Sequence, residues 1–163
     1  MSEPKVVRPG EGEAYVLGGR ALLTVKNRGD RGEGCSNIEH ATQAGYQGPP
    51  PHFHRNQDED IYVLEGHFEV RLDDRTFEGS PGTFVHIPKG CVHTFRNTGE
   101  GVGKLLITFV PAGGFEDYLE RLGEPTEEKS PPTPPSEPPD AATAERLAAL
   151  ASAPSREVLG NEL

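Results

Sequence analysis

The chain is short of apolar residues, of cysteine and of positive charge, and each shortage narrows what it can be. Hydrophobic residues fill 33% of 163 positions and mean hydropathy is −0.59, low for a globular domain unless part of the chain stays out of a core. No apolar run approaches the roughly 18 residues needed to cross a bilayer, so no membrane partner is expected. Cys35 and Cys91 form no CxxC pair and are too few for a disulfide framework. The start, Met1-Ser2-Glu3-Pro4-Lys5, lacks the basic-then-apolar pattern of a secretory leader, and a cytoplasmic location is expected. Sixteen Lys and Arg face 26 Asp and Glu, a net charge of −10. Residues 1–115 hold 12 basic against 15 acidic side chains, and residues 116–163 hold 4 against 11. Neither part offers the cationic surface that a phosphate backbone requires, which excludes nucleic acid as the expected partner.

What is present is a cluster of metal-ligating residue types. His52-Phe53-His54 is followed by Glu59, and His93 lies on a later segment. On a β-strand, side chains two apart project from one face, so His52 and His54 are placed to grip one ion. Glu59 adds a carboxylate and His93 a third imidazole. Imidazole nitrogens with one carboxylate suit a divalent first-row ion such as Mn, Fe, Co, Ni, Cu or Zn better than Ca or Mg, which take all-oxygen shells. Four protein ligands leave one or two positions open on a five- or six-coordinate ion.

The chain around these residues reads as short β segments at 14–17, 21–26, 38–42, 61–64, 68–72, 83–87, 93–96 and 104–110. Turn-forming residues such as Gly18-Gly19, Asp73-Asp74 and Pro88-Lys89-Gly90 separate them. Many short strands at close spacing predict an all-β, antiparallel sandwich or barrel. After Pro111 the pattern changes. Phe115, Tyr118, Leu119 and Leu122 have the spacing of an amphipathic helix, and the acidic residues between Glu116 and Glu120 read as its solvated face. Residues 124–140 contain seven prolines and predict an extended linker. Asp140 then stands as a cap for a short helix over 141–152. The expected organisation is a barrel over 1–115 and a C-terminal extension over 116–163.

These residues resemble two motifs of the cupin family. The first runs His52-Phe53-His54, four residues, Glu59, six residues, Gly66; six residues separate Gly45 from His52, one more than the pattern has. The second reads Gly82, Pro88, Gly90, His93 and Asn97 without a departure. The resemblance implies an antiparallel double-stranded β-helix, the jelly-roll barrel of cupins, with a short C-terminal helical extension. It also implies one transition metal ion per chain on His52, His54, Glu59 and His93, and a homodimer. In the second motif Asn97, Gly90 and Pro88 read as structural, with the turn at 88–90 aiming His93 inward. Strand alternation then turns Phe95, Ile61 and Val63 inward and Thr94, Arg96 and Tyr62 outward, giving a metal centre with apolar walls. His40, His67 and His86 fall outside the motifs and read as ordinary histidines, His40 being the exception to watch because its strand lines the pocket. Cys91 reads as a small buried thiol, and Asp58 and Asp60 as solvated charges.

The tail resembles that of small single-domain cupins of the quercetin 2,3-dioxygenase type. This implies a metal-dependent dioxygenase acting on a small phenolic or enolizable substrate, a flavonol in particular, with Glu59 as the catalytic base. That role requires either a Glu59 pKa raised well above the usual carboxylate value or proton transfer driven by metal binding of the substrate oxyanion. Two alternatives use the same ligands: a non-catalytic small-molecule-binding or sensing cupin, and a metal-dependent isomerase or lyase.

Overall fold

The computed structural model describes residues 4–29, 33–134, 141–142 and 156–158. Ten strands come first: β1 (Glu13–Leu17), β2 (Ala21–Asn27), β3 (Ser36–Thr42), β4 (His52–His54), β5 (Asp58–Glu65), β6 (Phe68–Leu72), β7 (Arg75–Gly79), β8 (Phe84–Ile87), β9 (His93–Asn97) and β10 (Gly103–Val110). The helix α1 (Phe115–Leu122), β11 (Glu124–Pro125) and β12 (Arg156–Val158) follow. The strands form two antiparallel sheets, one in the order β11-β1-β2-β3-β10-β5-β8 and the other β12-β4-β9-β6-β7. This is the expected jelly-roll. Its core lies between the sheets, where Phe68, Phe109, Leu23, Ile38, Ile61 and Leu105 are fully buried. Period-two burial along β5, β9 and β10 shows how the sequence does this: Ile61 and Val63 point in while Tyr62 and Leu64 point out.

Two structural motif residues act as anticipated, with identifiable partners. Asn97 donates from Nδ2 to the carbonyls of Gln43 and Gly101 (3.0 Å each) and accepts from the Gly99 amide at 2.9 Å, pinning three loops to the end of β9. Gly90 has φ 84°, and the Cys91 amide donates to the Pro88 carbonyl at 3.1 Å, closing the turn that leads into β9.

The strand β7 was not legible in the pattern. Its sequence, RTFEG, alternates nothing inward, and all but Gly79 is exposed. It forms because Asp73 (φ 50°) makes a two-residue hairpin with Leu72 opposite Arg75, and its charges guard the edge of its sheet.

The C-terminal region departs from expectation in two places. Residues 124–134 do not run free of the barrel. Pro125 pairs with Tyr15 of β1, and the Gln43 side-chain amide donates to the Pro131 carbonyl at 2.9 Å. An edge position suits proline, which has no amide proton to donate to a ladder. The acidic face of α1 is also not wholly solvated. Glu120 accepts from Arg28 at 2.6 Å, but Glu116 is 2% exposed because the first turn packs inward, and nothing described satisfies its two oxygens. Ala141 and Ala142 are helical, while residues 135–140 and the remainder of the helix expected over 141–152 lie outside the described residues. Among the described residues no helix is long and apolar enough to cross a membrane.

Two glycines before the HxH strand separate backbone freedom from close approach. Gly45 (φ 76°) has open space where a Cβ would go, whereas a Cβ on Gly48 (φ 81°) would collide with the Phe95 carbonyl of β9. Gly45→Ala is expected to cost about 1–2 kcal/mol, the left-handed backbone penalty alone, and Gly48→Ala about 3 kcal/mol or more. Chemical denaturation of the two variants checks this; equal losses would contradict it.

Candidate metal centre

The site is built from both sheets. His52 and His54 project inward from β4, His93 from β9 directly opposite His52, and Glu59 from β5 in the facing sheet. All four are buried, and one ligand atom from each lies within 4.8 Å of the others. Nε2 of His54 and Nε2 of His93 sit 2.9 and 3.0 Å from the same Glu59 oxygen, Oε2. The imidazoles of His52 and His93 have centroids 4.2 Å apart. The structure thus brings together the four residues picked out in the sequence.

Backbone carbonyls hold two of the rings, and these partners could not be named in advance. Nδ1 of His52 donates to the Pro50 carbonyl at 3.0 Å, and Nδ1 of His93 donates to the Cys91 carbonyl at 3.1 Å. A carbonyl only accepts, so each Nδ1 carries the proton and each neutral ring presents a lone pair at Nε2. For His93 that lone pair would face a carboxylate oxygen. The arrangement is favourable only with a cation between the two, either a proton or a metal ion. A first-row ion with ligands at about 2.0–2.2 Å sets its donors roughly 3–4 Å apart, which the observed cluster matches with little adjustment. The donor set and its spacing are compatible with one metal ion.

The electrostatics bear on the two routes set out for a base at Glu59. Burial alone would push the Glu59 carboxyl up, but the charge of His93 and hydrogen bonds from His54 and His93 hold it well below the usual carboxylate range. The raised pKa that would make Glu59 a ready base is therefore not a property of the metal-free site. Were Glu59 to act as a base, the route open to it would be the one driven by binding of the substrate oxygen.

A cavity of about 50 Å³ is lined by three of the four, His52, His54 and Glu59, and otherwise walled by Tyr46, Phe95, Ile107, Phe109, Phe115 and Tyr118, among others. Phe95 turns inward as alternation requires, whereas Ile61 and Val63 belong to the core and not to this wall. The contribution of α1 was missed: Phe115 stacks on Phe109 (4.6 Å, 24°) and on Tyr118 (5.3 Å, 27°), so the helix closes one side. The amphipathic spacing of Phe115 and Tyr118 was visible in the sequence, but not the surface they cover.

Outside the cluster, His67 and His86 are exposed, and Cys91 is half-buried rather than buried, its Sγ 3.6 Å from Asp73. Asp58 and Asp60 do more than meet solvent: Asp58 accepts from the Lys89 amide at 2.9 Å, and Asp60 pairs with His86 Nδ1 at 2.7 Å. His40 is the exception among the remaining histidines. It is 4% exposed and lines the cavity.

Burial lowers the pKa of His40 from its ordinary 6.5 to about 4, the charge of Glu59 opposing this only in part. A folded-state pKa below the unfolded one means that the neutral ring favours folding above pH 6.5, and that this contribution drains away as pH falls from 6.5 towards 4. It amounts to about 3 kcal/mol at most. Thermal melts of metal-free protein are expected to fall over that window, and less steeply in His40→Leu. Parallel slopes for the two proteins would contradict the assignment.

Comparison with known proteins agrees with the geometry. Residues 39–109 match the family profile described as Cupin domain. The chain is 27% identical to quercetin 2,3-dioxygenase of Bacillus subtilis over 124 residues, which is 75% of this chain and 35% of that protein. Among solved structures, KdgF from Halomonas sp. superposes with a TM-score of 0.61 at 18% identity, covering 71% of this chain and 99% of that one. The polyketide cyclase RemF from Streptomyces resistomycificus does so with a TM-score of 0.54 at 26% identity, covering 66% and 79%. The chain spans only about a third of the length of the dioxygenase it matches. Two facing antiparallel sheets, both motifs in place and the family match have one common explanation: residues 39–109 form a cupin domain.

Proposed function

We propose that the protein is a metal-dependent dioxygenase acting on a small phenolic or enolizable substrate, with a flavonol as the specific candidate. The observation that carries this reading is the convergence of three imidazoles and one carboxylate, of which His52, His54 and Glu59 line an aromatic-walled cavity. The match to a quercetin 2,3-dioxygenase over three quarters of the chain supports the choice of reaction. His52, His54, Glu59 and His93 would hold the metal, which when bound supplies Lewis acidity to a coordinated substrate hydroxyl.

The remaining work falls to the chain's own groups. Glu59, ionised and buried, accepts the hydroxyl proton at its carboxylate oxygen once substrate binding makes the oxyanion favourable. His52 and His93 keep their Nδ1 protons on the Pro50 and Cys91 carbonyls and so keep their ring planes. Phe109, Phe115 and Tyr118 offer flat faces to an aromatic ring and exclude water from it. A free volume of about 50 Å³ holds only one or two water molecules, so a ring enters as a wall moves.

A second reading, an enzyme that rearranges a phenolic or polyketide substrate without consuming oxygen, draws on the likeness to a polyketide cyclase. Oxygen uptake separates the two. Metal-loaded wild type supplied with quercetin is expected to consume oxygen. Glu59→Gln should retain part of its metal and lose at least 100-fold in rate, about 3 kcal/mol of barrier. His52→Ala should lose the metal itself, as counted by elemental analysis. Wild-type rates in Glu59→Gln would remove it as the base, and turnover without oxygen uptake would favour the second reading.

A further inference from the structure

We propose that His40 is a ligand-positioning residue, hydrogen-bonding a second oxygen of a flat ligand whose first oxygen lies at the metal centre. The inference rests on the preceding reading only in that an oxygen-bearing ring occupies the cavity. His40 lies on β3, 4% exposed, and its Nδ1 has no hydrogen-bond partner among the described residues. Buried polar atoms in folded proteins nearly always have one, because leaving a donor or acceptor dry costs stability. A leucine would fill the same space between its strand neighbours Leu23 and Leu105 without that cost. The imidazole is therefore best explained by something outside the chain that completes it.

The position of His40 says what that is. Its ring is fixed by Phe95, edge-on at 5.2 Å, and by Tyr46 at 5.5 Å, and it lines the same cavity as His52, His54 and Glu59. It is not one of the four clustered ligands. The strand β10 measures the separation: Phe109 lies opposite Glu59, Leu105 lies opposite His40, and Ile107 between them lines the cavity. Four residues of strand cover about 13 Å before the reach of either side chain is subtracted. A rigid aromatic ligand carrying oxygens on separated positions fits that layout, with apolar ring against Ile107 and Phe95. The low pKa of His40, about 4 through burial, keeps the ring neutral at pH 7, so that it offers one donor and one acceptor and adds no charge beside the metal ligands.

The test compares two probes on metal-reconstituted protein without oxygen, so that binding is read and turnover is not. Quercetin carries hydroxyls remote from its metal-binding keto-hydroxyl group; 3-hydroxyflavone has that group and no other hydroxyl. His40→Leu is expected to weaken quercetin at least tenfold and 3-hydroxyflavone less than twofold, with metal content unchanged and the melting temperature of the metal-free protein no lower at pH 7. His40→Gln, which keeps a donor and an acceptor, should recover much of the quercetin affinity. Equal weakening of both probes, wild-type affinity in His40→Leu, no rescue by His40→Gln, or binding of neither probe by the wild type would overturn the proposal. Quercetin that binds as described but consumes no oxygen when air is admitted would fail the dioxygenase reading and leave the role of His40 standing.

Discussion

A carboxylate sealed between two sheets, with imidazole nitrogens at 2.9 and 3.0 Å from one of its oxygens, is the arrangement on which the rest of this molecule depends. Glu59 is 3% exposed, and an ion so placed is tolerable only with its charge compensated. The three histidines compensate it, but two of them have already committed a ring proton to a backbone carbonyl. What completes the cluster is a cation. The fold holds four donors compatible with one metal ion in nearly the geometry that such an ion would impose.

The jelly-roll supplies this geometry by dividing the ligands between its layers. One sheet brings His52, His54 and His93 on paired strands, and the other brings Glu59. The strand β4 is three residues long and meets β9 at a single register pair, so it needs support on its other side. The C-terminal strand β12 gives that support, with Arg156 opposite His54 and Val158 opposite His52. On the far side of the cavity α1 lays Phe115 against Phe109, and Gln57 ties the approach to the helix by donating to the carbonyls of Pro111 (2.8 Å) and Gly113 (2.9 Å). Segments beyond the ten-strand barrel are thus part of what shapes the site.

Much of this was legible in the residues because strand alternation is a strict rule. The inward positions of Glu59, Ile61, Val63, His93 and Phe95 follow from period two, and spacing picked out the four residues that cluster. What escaped was contact made without a side-chain pattern. The strand β7 forms from a turn and an exposed edge, β11 and the segment to Pro134 bind through backbone groups, and the partners of His52 and His93 are carbonyls. The burial of Glu116 opposes its residue type, and no pattern predicts that. Composition made residues 124–140 look uniform, although Pro125 and Pro131 make specific contacts.

The central claim is that these four side chains hold one ion, and X-ray absorption at the metal edge of reconstituted protein tests it most directly. The account predicts a first shell of three imidazole nitrogens and carboxylate oxygen at about 2.0–2.2 Å, with the imidazole scattering reduced by one ring in His93→Ala. A shell of oxygens alone, or one that His93→Ala leaves unchanged, would place the ion elsewhere and contradict it.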